Sequence, residues 1–139
     1  MTKIKVTTIE QSDKLVELGI DPNTADLSYV MEPTFVNGQI HYLNGYDLSI
    51  MSYESAKETL DKFFSQHKPF ADVKPAWSLS ALLDVIRNKN INAGLFVNDT
   101  MWVCDIVLND SSFTSMQQDN QVEAVLESIK WLYEKENND

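Results

Sequence analysis

Few side chains in this sequence combine a chemically useful type with a spacing that would support catalysis. Asp105 is the clearest candidate, because it lies within residues 102–108, a run that is otherwise apolar. A carboxylate in apolar surroundings must lie at an edge, accept hydrogen bonds or resist ionisation. Asp105 is therefore a candidate tuned acid. The more common role of such a residue is that of a hydrogen-bonded structural aspartate, or of one whose face opens to water.

The histidines and glycines indicate neither a metal site nor a phosphate loop. His41 and His67 have no partner at a ligand spacing such as H-x-x-x-H, and the chain has no D-x-D-x-D-G calcium loop. The four glycines form neither G-x-x-x-x-G-K nor G-x-G-x-x-G. We therefore expect no metal and no cofactor, and we interpret the histidines as surface or helix-end residues.

No activated nucleophile is indicated either. Ser78 lacks the G-x-S-x-G elbow and is better explained as the N-cap of a helix. Cys104 is the lone cysteine of the sequence, which excludes an internal disulfide and a zinc site built from thiolates. Its apolar neighbours indicate a small buried hydrophobe, since an apolar setting makes a thiol inert.

The chain is acidic, with 21 acids against 11 bases and a formal net charge of -10. Arg87 is its one arginine, and arginine is the usual residue for binding phosphate and guanine, so direct nucleic-acid binding is not expected. Lysine and arginine are absent between Lys89 and Lys130. Six acids lie in that interval: Asp99, Asp105, Asp110, Asp119, Glu123 and Glu127. Such a stretch usually forms a solvated face, but its field can also resemble that of a phosphate backbone.

A final helix is predicted from near Asp119 to about Glu134. At about 100° per residue, its apolar side chains fall in one arc of roughly 120°. Asp119, Glu123, Glu127 and Glu134 cluster in an adjacent arc that also holds Lys130, and Trp131 lies outside the apolar arc. An exposed tryptophan beside carboxylates is suited to anchoring a partner, so the predicted binding surface consists of Trp131, Glu127, Glu123 and Asp119. The alternative is that another element of the fold, or a second copy of the chain, covers Trp131.

Capping residues and apolar spacing predict three further helices. The first begins at Thr7 or Thr8, each of which has a capping-box partner three residues later, and it ends at Gly19. The second follows a Ser52 cap and extends to about residue 66. The third follows a Ser78 cap, and its leucines recur on one face.

The middle of the chain predicts a three-stranded meander. Residues 34–36 and 39–43 flank Asn37-Gly38, a strong signal for a type I′ hairpin turn, because both residues tolerate a positive φ. Residues 46–51 follow as the third strand.

A hairpin is predicted later in the chain. Residues 93–97 pair with residues 101–108, and the second of these strands is apolar on both faces except at Asp105. Such a strand is typically central and covered on both sides. A polar loop is expected over residues 109–118. The whole chain, residues 1–139, is thus predicted to form a single α+β domain, an antiparallel sheet of meander plus hairpin packed by about four helices.

The N-terminus begins Met1-Thr2-Lys3-Ile4-Lys5-Val6, with no apolar run after the lysines, so no secretory signal is predicted. The sequence also lacks the roughly 18 consecutive apolar residues that a membrane span needs. We therefore expect a cytoplasmic protein with no membrane partner.

Two segments of this sequence resemble a known group of proteins. The first is Thr8-Ile9-Glu10-Gln11-Ser12 with the following Asp21-Pro22-Asn23-Thr24-Ala25-Asp26, and the second is Pro75-Ala76-Trp77-Ser78-Leu79. Together they resemble a family of small uncharacterised proteins from gut bacteria, their phages and integrated elements. The resemblance implies a phage or mobile-element origin and action in the bacterial cytoplasm. It implies no activity and no catalytic residues.

These observations favour a non-enzymatic protein that binds a host protein or a protein of the same mobile element. A second interpretation is an acidic DNA-mimic inhibitor of a DNA-binding protein. A third is a hydrolase-like enzyme with carboxylates and His41 in a pocket between sheet and helices. A homodimer is a further alternative, because a strand that is apolar on both faces needs a second subunit if helices cover only one face.

Overall fold

A computed structural model describes residues 5–42, 45–67, 71–89, 92–98, 101–108, 110–118 and 120–137 of the chain. In these ranges four α-helices and three antiparallel sheets form an α+β fold, as the sequence predicts. The helices are α1 (Ile9–Glu17), α2 (Tyr53–Phe63), α3 (Leu79–Arg87) and α4 (Gln121–Asn137). The strands are β1 (Leu27–Met31), β2 (Thr34–Val36), β3 (Gln39–His41), β4 (Asp47–Ser49), β5 (Asp72–Ala76), β6 (Asn92–Asn98), β7 (Met101–Val107) and β8 (Ser112–Gln118).

Helix α1 begins and ends at signals that the sequence contains. The hydroxyl of Thr8 accepts a hydrogen bond from the backbone N–H of Gln11 at 3.1 Å, and the Gln11 side chain accepts one from the backbone N–H of Thr8 at 2.9 Å. Thr8 is therefore the cap, and the hydroxyl of Thr7 is instead buried against that of Ser12 at 2.7 Å. Gly19 follows the last turn with a φ of +100°, a conformation that residues with a side chain rarely adopt.

Polar side chains cap the other three helices. The hydroxyls of Ser52 and Ser78 each accept a hydrogen bond of 3.2 Å from the backbone N–H three residues later. The side-chain carbonyl of Asn120 accepts the corresponding bond at the start of α4, at 2.9 Å. Asp119, near which this helix was predicted to begin, lies outside the described residues. Side-chain caps of this kind satisfy backbone N–H groups that have no partner within the helix.

The first sheet has the strand order β4-β1-β5, with antiparallel pairings and with α2 packed against it. Neither β1 nor β5 is predicted from the sequence. Strand β5 contains Pro75, which lacks a backbone N–H. An edge strand tolerates proline because, on one of its sides, the backbone groups form no hydrogen bonds with a neighbouring strand.

The predicted meander is wrong in one pairing. Strands β2 and β3 do form a hairpin around Asn37 and Gly38, whose φ values of +52° and +76° are those of a type I′ turn. The third strand, β4, pairs with β1 and not with β3, so that Asp47 lies opposite Val30. Strand β2 is exposed throughout, whereas β1 lies beneath α2. By joining β1, strand β4 therefore becomes part of a sheet with a covered face.

The second sheet has the order β6-β7-β8, which places β7 at the centre as predicted. Strands β6 and β7 form the predicted hairpin, and α4 packs on one face of the sheet. The predicted polar loop over residues 109–118 is wrong, because Ser112–Gln118 is a full-length strand paired with β7. The sequence does not predict this strand because the segment is mostly polar, with Phe113 and Met116 as its only large apolar side chains.

The main hydrophobic core lies between α1, α3, α4 and the inner face of the second sheet. Its fully buried side chains include Trp77, Leu82, Ile86, Ile106, Val125 and Ile129. A smaller core lies beneath α2 and is built from Ala56, Leu60, Ala71 and Val73. Among the described residues, no helix has both the length and the apolar character needed to cross a membrane.

Candidate functional site

Trp131 is half-buried against strand β8, so the predicted exposed position is wrong. Its ring stacks on that of Phe113, with centroids 5.3 Å apart and planes inclined by 14°. The ammonium group of Lys135 lies 5.9 Å from the centroid of the indole. Another element of the fold thus covers part of this side chain, which is one of the alternatives that the sequence leaves open.

The buried arc of α4 is wider than the apolar side chains predict. Ala124 and Ser128, which lie on the Trp131 side of the helix, are both fully buried. The hydroxyl of Ser128 donates toward the backbone carbonyls of Ala124 at 3.3 Å and Cys104 at 3.4 Å. Because β8 extends the sheet beneath this side of the helix, small residues are needed there, and a hydroxyl can be buried with its hydrogen bonds satisfied.

Glu123 and Glu127 line a groove of about 290 Å³ between α1 and α4. The side-chain amide of Gln11 donates a 2.7 Å hydrogen bond to the carboxylate of Glu123. Three leucines also line the groove: Leu15, Leu18 and Leu126. The structure thus brings two of the four predicted binding residues into one groove, and Trp131 is not among the residues that line it.

The charges in this groove are mixed. Lys14 and Lys130 line it together with Glu17 and the two predicted glutamates. The interval without bases that the sequence shows therefore does not become a uniformly acidic surface here, because α1 brings a lysine from elsewhere in the chain. A mixed surface exerts a weaker long-range field than a row of acids does.

Asp105 lies on the outer face of the second sheet, the face opposite α4. The pairing register aligns it with Gly94 on β6 and Thr114 on β8. The hydroxyl of Thr114 donates a 2.7 Å hydrogen bond to its carboxylate, and Asp105 is half-buried. This is the environment of a hydrogen-bonded structural aspartate on a face that opens to water.

An apolar row lies next to Asp105 on the same face. The register aligns Phe96, Val103 and Met116 across the three strands, and residues directly opposite one another point to the same side of a sheet. Val103 is 3% exposed, whereas Phe96 and Met116 on either side of it are 45% and 56% exposed. Val107, two places beyond Asp105 on β7, is 60% exposed. This surface is not predicted from the sequence, because it depends on residues 112–118 forming strand β8.

The remaining residues with potential chemistry do not come together. Cys104 is fully buried, and burial raises the pKa of its thiol, an effect that the nearby negative charge of Asp105 reinforces and a hydrogen bond with Ser128 opposes. His41 is exposed on β3, and the side chain of His67 lies outside the described part of the structure. In the described ranges, no three His, Cys, Asp or Glu side chains are grouped so that they could hold a metal ion.

The two segments that carry the family resemblance meet in the fold. The indole N–H of Trp77 donates to the hydroxyl of Thr24 at 3.0 Å, and the backbone N–H of Trp77 donates to the hydroxyl of Thr7 at 3.1 Å. Asp26 accepts two hydrogen bonds from Ser78, one from its backbone N–H and one from its hydroxyl. These residues hold the start of α3 against the N-terminal segment, so their described contacts are structural.

Comparison of the chain with known protein-family models, with curated proteins and with solved structures finds no match.

Proposed function

We propose that this protein is a non-enzymatic binding module that docks a second, different protein on the outer face of the β6-β7-β8 sheet. The observation that carries the proposal is the apolar row in which exposed Phe96 and Met116 flank Val103. Contiguous exposed apolar surface is typical of an interaction site, because its burial by a partner is favourable. We name this surface, with Asp105 and Val107, the outer sheet face.

The charges favour a partner that is not a second copy of the chain. Each copy has a formal net charge of -10, so two copies repel one another as they approach. Asp105 is the charged residue among those that form the outer sheet face, and stacking two such faces would add further carboxylate repulsion. The fitting partner presents an apolar surface with a lysine or arginine opposite Asp105. In the setting that the resemblance implies, it is a protein of the host or of the same mobile element.

The two other interpretations have less support from the geometry. A DNA mimic needs carboxylates arranged without interruption, whereas Lys14 and Lys130 lie among the glutamates of the α1–α4 groove. A hydrolase needs convergent polar groups in a pocket. Asp105 lies on an open sheet face and His41 is exposed on a different sheet. The first arrangement weighs against a DNA mimic, and the second favours binding over catalysis.

The test compares a variant of the outer sheet face with a matched surface variant. Phe96→Thr combined with Met116→Thr removes the apolar row while keeping residues that favour strands. Phe63→Thr is the control, because Phe63 is a comparably exposed aromatic residue on α2. Proteins that the wild type captures from a host lysate are identified and purified. Each is then titrated by calorimetry against the wild type, the outer-face variant and the control variant. We expect the outer-face variant to bind at least tenfold more weakly and the control to bind within twofold of wild type.

Three results would contradict the proposal. The first is a partner that binds the folded outer-face variant as tightly as wild type. The second is light scattering that shows a wild-type dimer and a monomeric outer-face variant, which would make a second copy the occupant. The third is binding that falls steeply with salt and is lost in Glu123→Gln with Glu127→Gln, which would favour the DNA mimic. Circular dichroism of each variant checks that it is folded.

A further inference from the structure

The geometry points to a second site, a cavity between α2 and the edge strand β4 that binds a small primary ammonium ligand with an apolar body. This site lies on the first sheet and is independent of the outer sheet face. Its volume is about 260 Å³, slightly below the range of about 300–1,000 Å³ that is typical of sites for drug-sized molecules. The expected ligand is therefore smaller than a drug-sized molecule.

The lining of the cavity includes two residues of the smaller core. Ala56 and Leu60 of α2 are 4% and 5% exposed, and Val30 of β1 packs against the same cluster. These three residues offer hydrocarbon contact to a ligand that enters between the helix and the strand. Burial of an apolar group on such a surface contributes roughly 25 cal/mol per Å², so it favours a ligand with an apolar body.

Two carboxylates line the same cavity. Asp47 lies directly opposite Val30 in the pairing of β4 with β1, and Glu32 follows the end of β1. Both residues are exposed, and within the described part of the chain neither carboxylate takes part in an ion pair. The hydroxyl-bearing residue Ser49 also lines the cavity. Oxygen acceptors with a net negative charge thus lie beside an apolar lining.

This combination selects a primary ammonium group over its neutral and anionic counterparts. An ammonium has three N–H donors and no acceptor, so carboxylates are its favoured partners, and the hydrocarbon part of the ligand then lies on the apolar lining. An alcohol of the same shape loses the charge-assisted hydrogen bonds, and a carboxylate ligand is repelled. Because the carboxylates are exposed, added salt screens their attraction and is expected to weaken binding.

The experiment titrates the full chain with three probes of similar shape: 2-phenylethylamine, 2-phenylethanol and phenylacetate. The methyl signals of Ala56, Leu60 and Val30 are followed by NMR. We expect the amine to shift these signals saturably, the alcohol to bind at least fivefold more weakly, and phenylacetate to cause no shift. The variant Glu32→Gln with Asp47→Asn is expected to weaken amine binding at least fivefold. The control Glu10→Gln with Glu134→Gln removes the same charge from residues outside the cavity lining and is expected to leave the affinity within twofold.

Four outcomes would overturn this site. The first three are no shift with the amine, equal affinity for the amine and the alcohol, and unchanged amine affinity in Glu32→Gln with Asp47→Asn. The fourth is an equal loss of affinity in this variant and in the control variant, because the attraction would then depend only on the net charge. None of these outcomes bears on protein binding at the outer sheet face, which Phe96→Thr with Met116→Thr tests separately.

Discussion

The indole ring of Trp131 and the phenyl ring of Phe113 stack with their centroids 5.3 Å apart and their planes inclined by 14°. This contact joins the middle of α4 to the edge strand of the second sheet. It places Trp131 within the packing of the fold, where it contributes to stability through the area it buries and through the ring stacking itself. The residue that the sequence suggests as a partner anchor is thus also a structural contact between two elements.

Trp131→Ala is expected to lower the free energy of unfolding by about 2 kcal/mol, because the side chain is half-buried and loses its packing against β8. A double-mutant cycle with Phe113→Ala isolates the stacking, for which we expect a coupling of about 0.5–1.5 kcal/mol. Urea unfolding followed by circular dichroism measures all four proteins. Additive effects of the two substitutions would show that the stacking of the two rings adds no stability beyond what each ring contributes by its own burial.

How far the sequence predicts this fold depends on whether a signal is local. The sequence predicts the caps at Ser52 and Ser78, Thr8 as one of two candidate caps of α1, the Asn37-Gly38 turn and the central position of β7, because each is encoded within a few neighbouring residues. The pairing of β4 with β1 is not predicted, because it depends on which distant strand offers a covered sheet. Pairing over long sequence separations leaves no periodicity to recognise.

The same distinction between local and long-range signals explains how much of the candidate site the sequence predicts. Sequence periodicity predicts that Glu123 and Glu127 lie together on α4, but it does not show that α1 lies beside them and adds Gln11. The polar composition of Ser112–Gln118 predicts a loop, whereas the segment is strand β8. Because β8 is not predicted, neither its packing against Trp131 nor the outer sheet face is predicted from the sequence. In this strand tertiary pairing overrides the local preference for a loop.

Gly19→Ala is expected to destabilise the protein by about 1–2 kcal/mol, because the φ of +100° after α1 strains any residue with a Cβ atom. Gly94→Ala is the matched control. The φ of Gly94 is not positive, and nothing lies within 4 Å of where a Cβ would be placed, so we expect a change within about 0.5 kcal/mol. Thermal unfolding of the two variants makes the comparison. Equal destabilisation of both would contradict this account of the α1 terminus.

Cys104 is expected to react slowly with thiol reagents in the folded protein. Its side chain is fully buried, and burial raises the pKa of the thiol, so at mildly alkaline pH less of it is the reactive thiolate. With a chromogenic disulfide reagent we expect the reaction in denaturant to be at least about tenfold faster than the reaction of the native protein. Equal rates in the two conditions would show that the thiol is accessible. Cys104→Ala provides the blank for both measurements.

Ionisation of the Tyr46 phenol is expected to lower the stability of the protein at alkaline pH. Burial raises the pKa of its phenol to about 12, with further contributions from its 2.5 Å hydrogen bond to Asp72 and from the negative charges of Asp72 and Asp13. In the unfolded chain the phenol titrates near its ordinary value of 10.0. Below pH 10 both states hold the proton and the full stabilisation is present. Between pH 10 and about 12 the unfolded state loses its proton first, so the free energy of unfolding decreases as the pH rises.

The control for this titration is Tyr46→Phe, which removes the ionising group and its hydrogen bond to Asp72. At neutral pH we expect the variant to be about 1 kcal/mol less stable than wild type. Because the phenol no longer contributes, the difference between the two proteins should shrink as the pH rises above 10. Urea unfolding across this range measures both curves, and lysines and other tyrosines cancel in the comparison. A difference that stays constant from neutral to alkaline pH would contradict the assignment, since it would mean that Tyr46 ionises equally easily in both states.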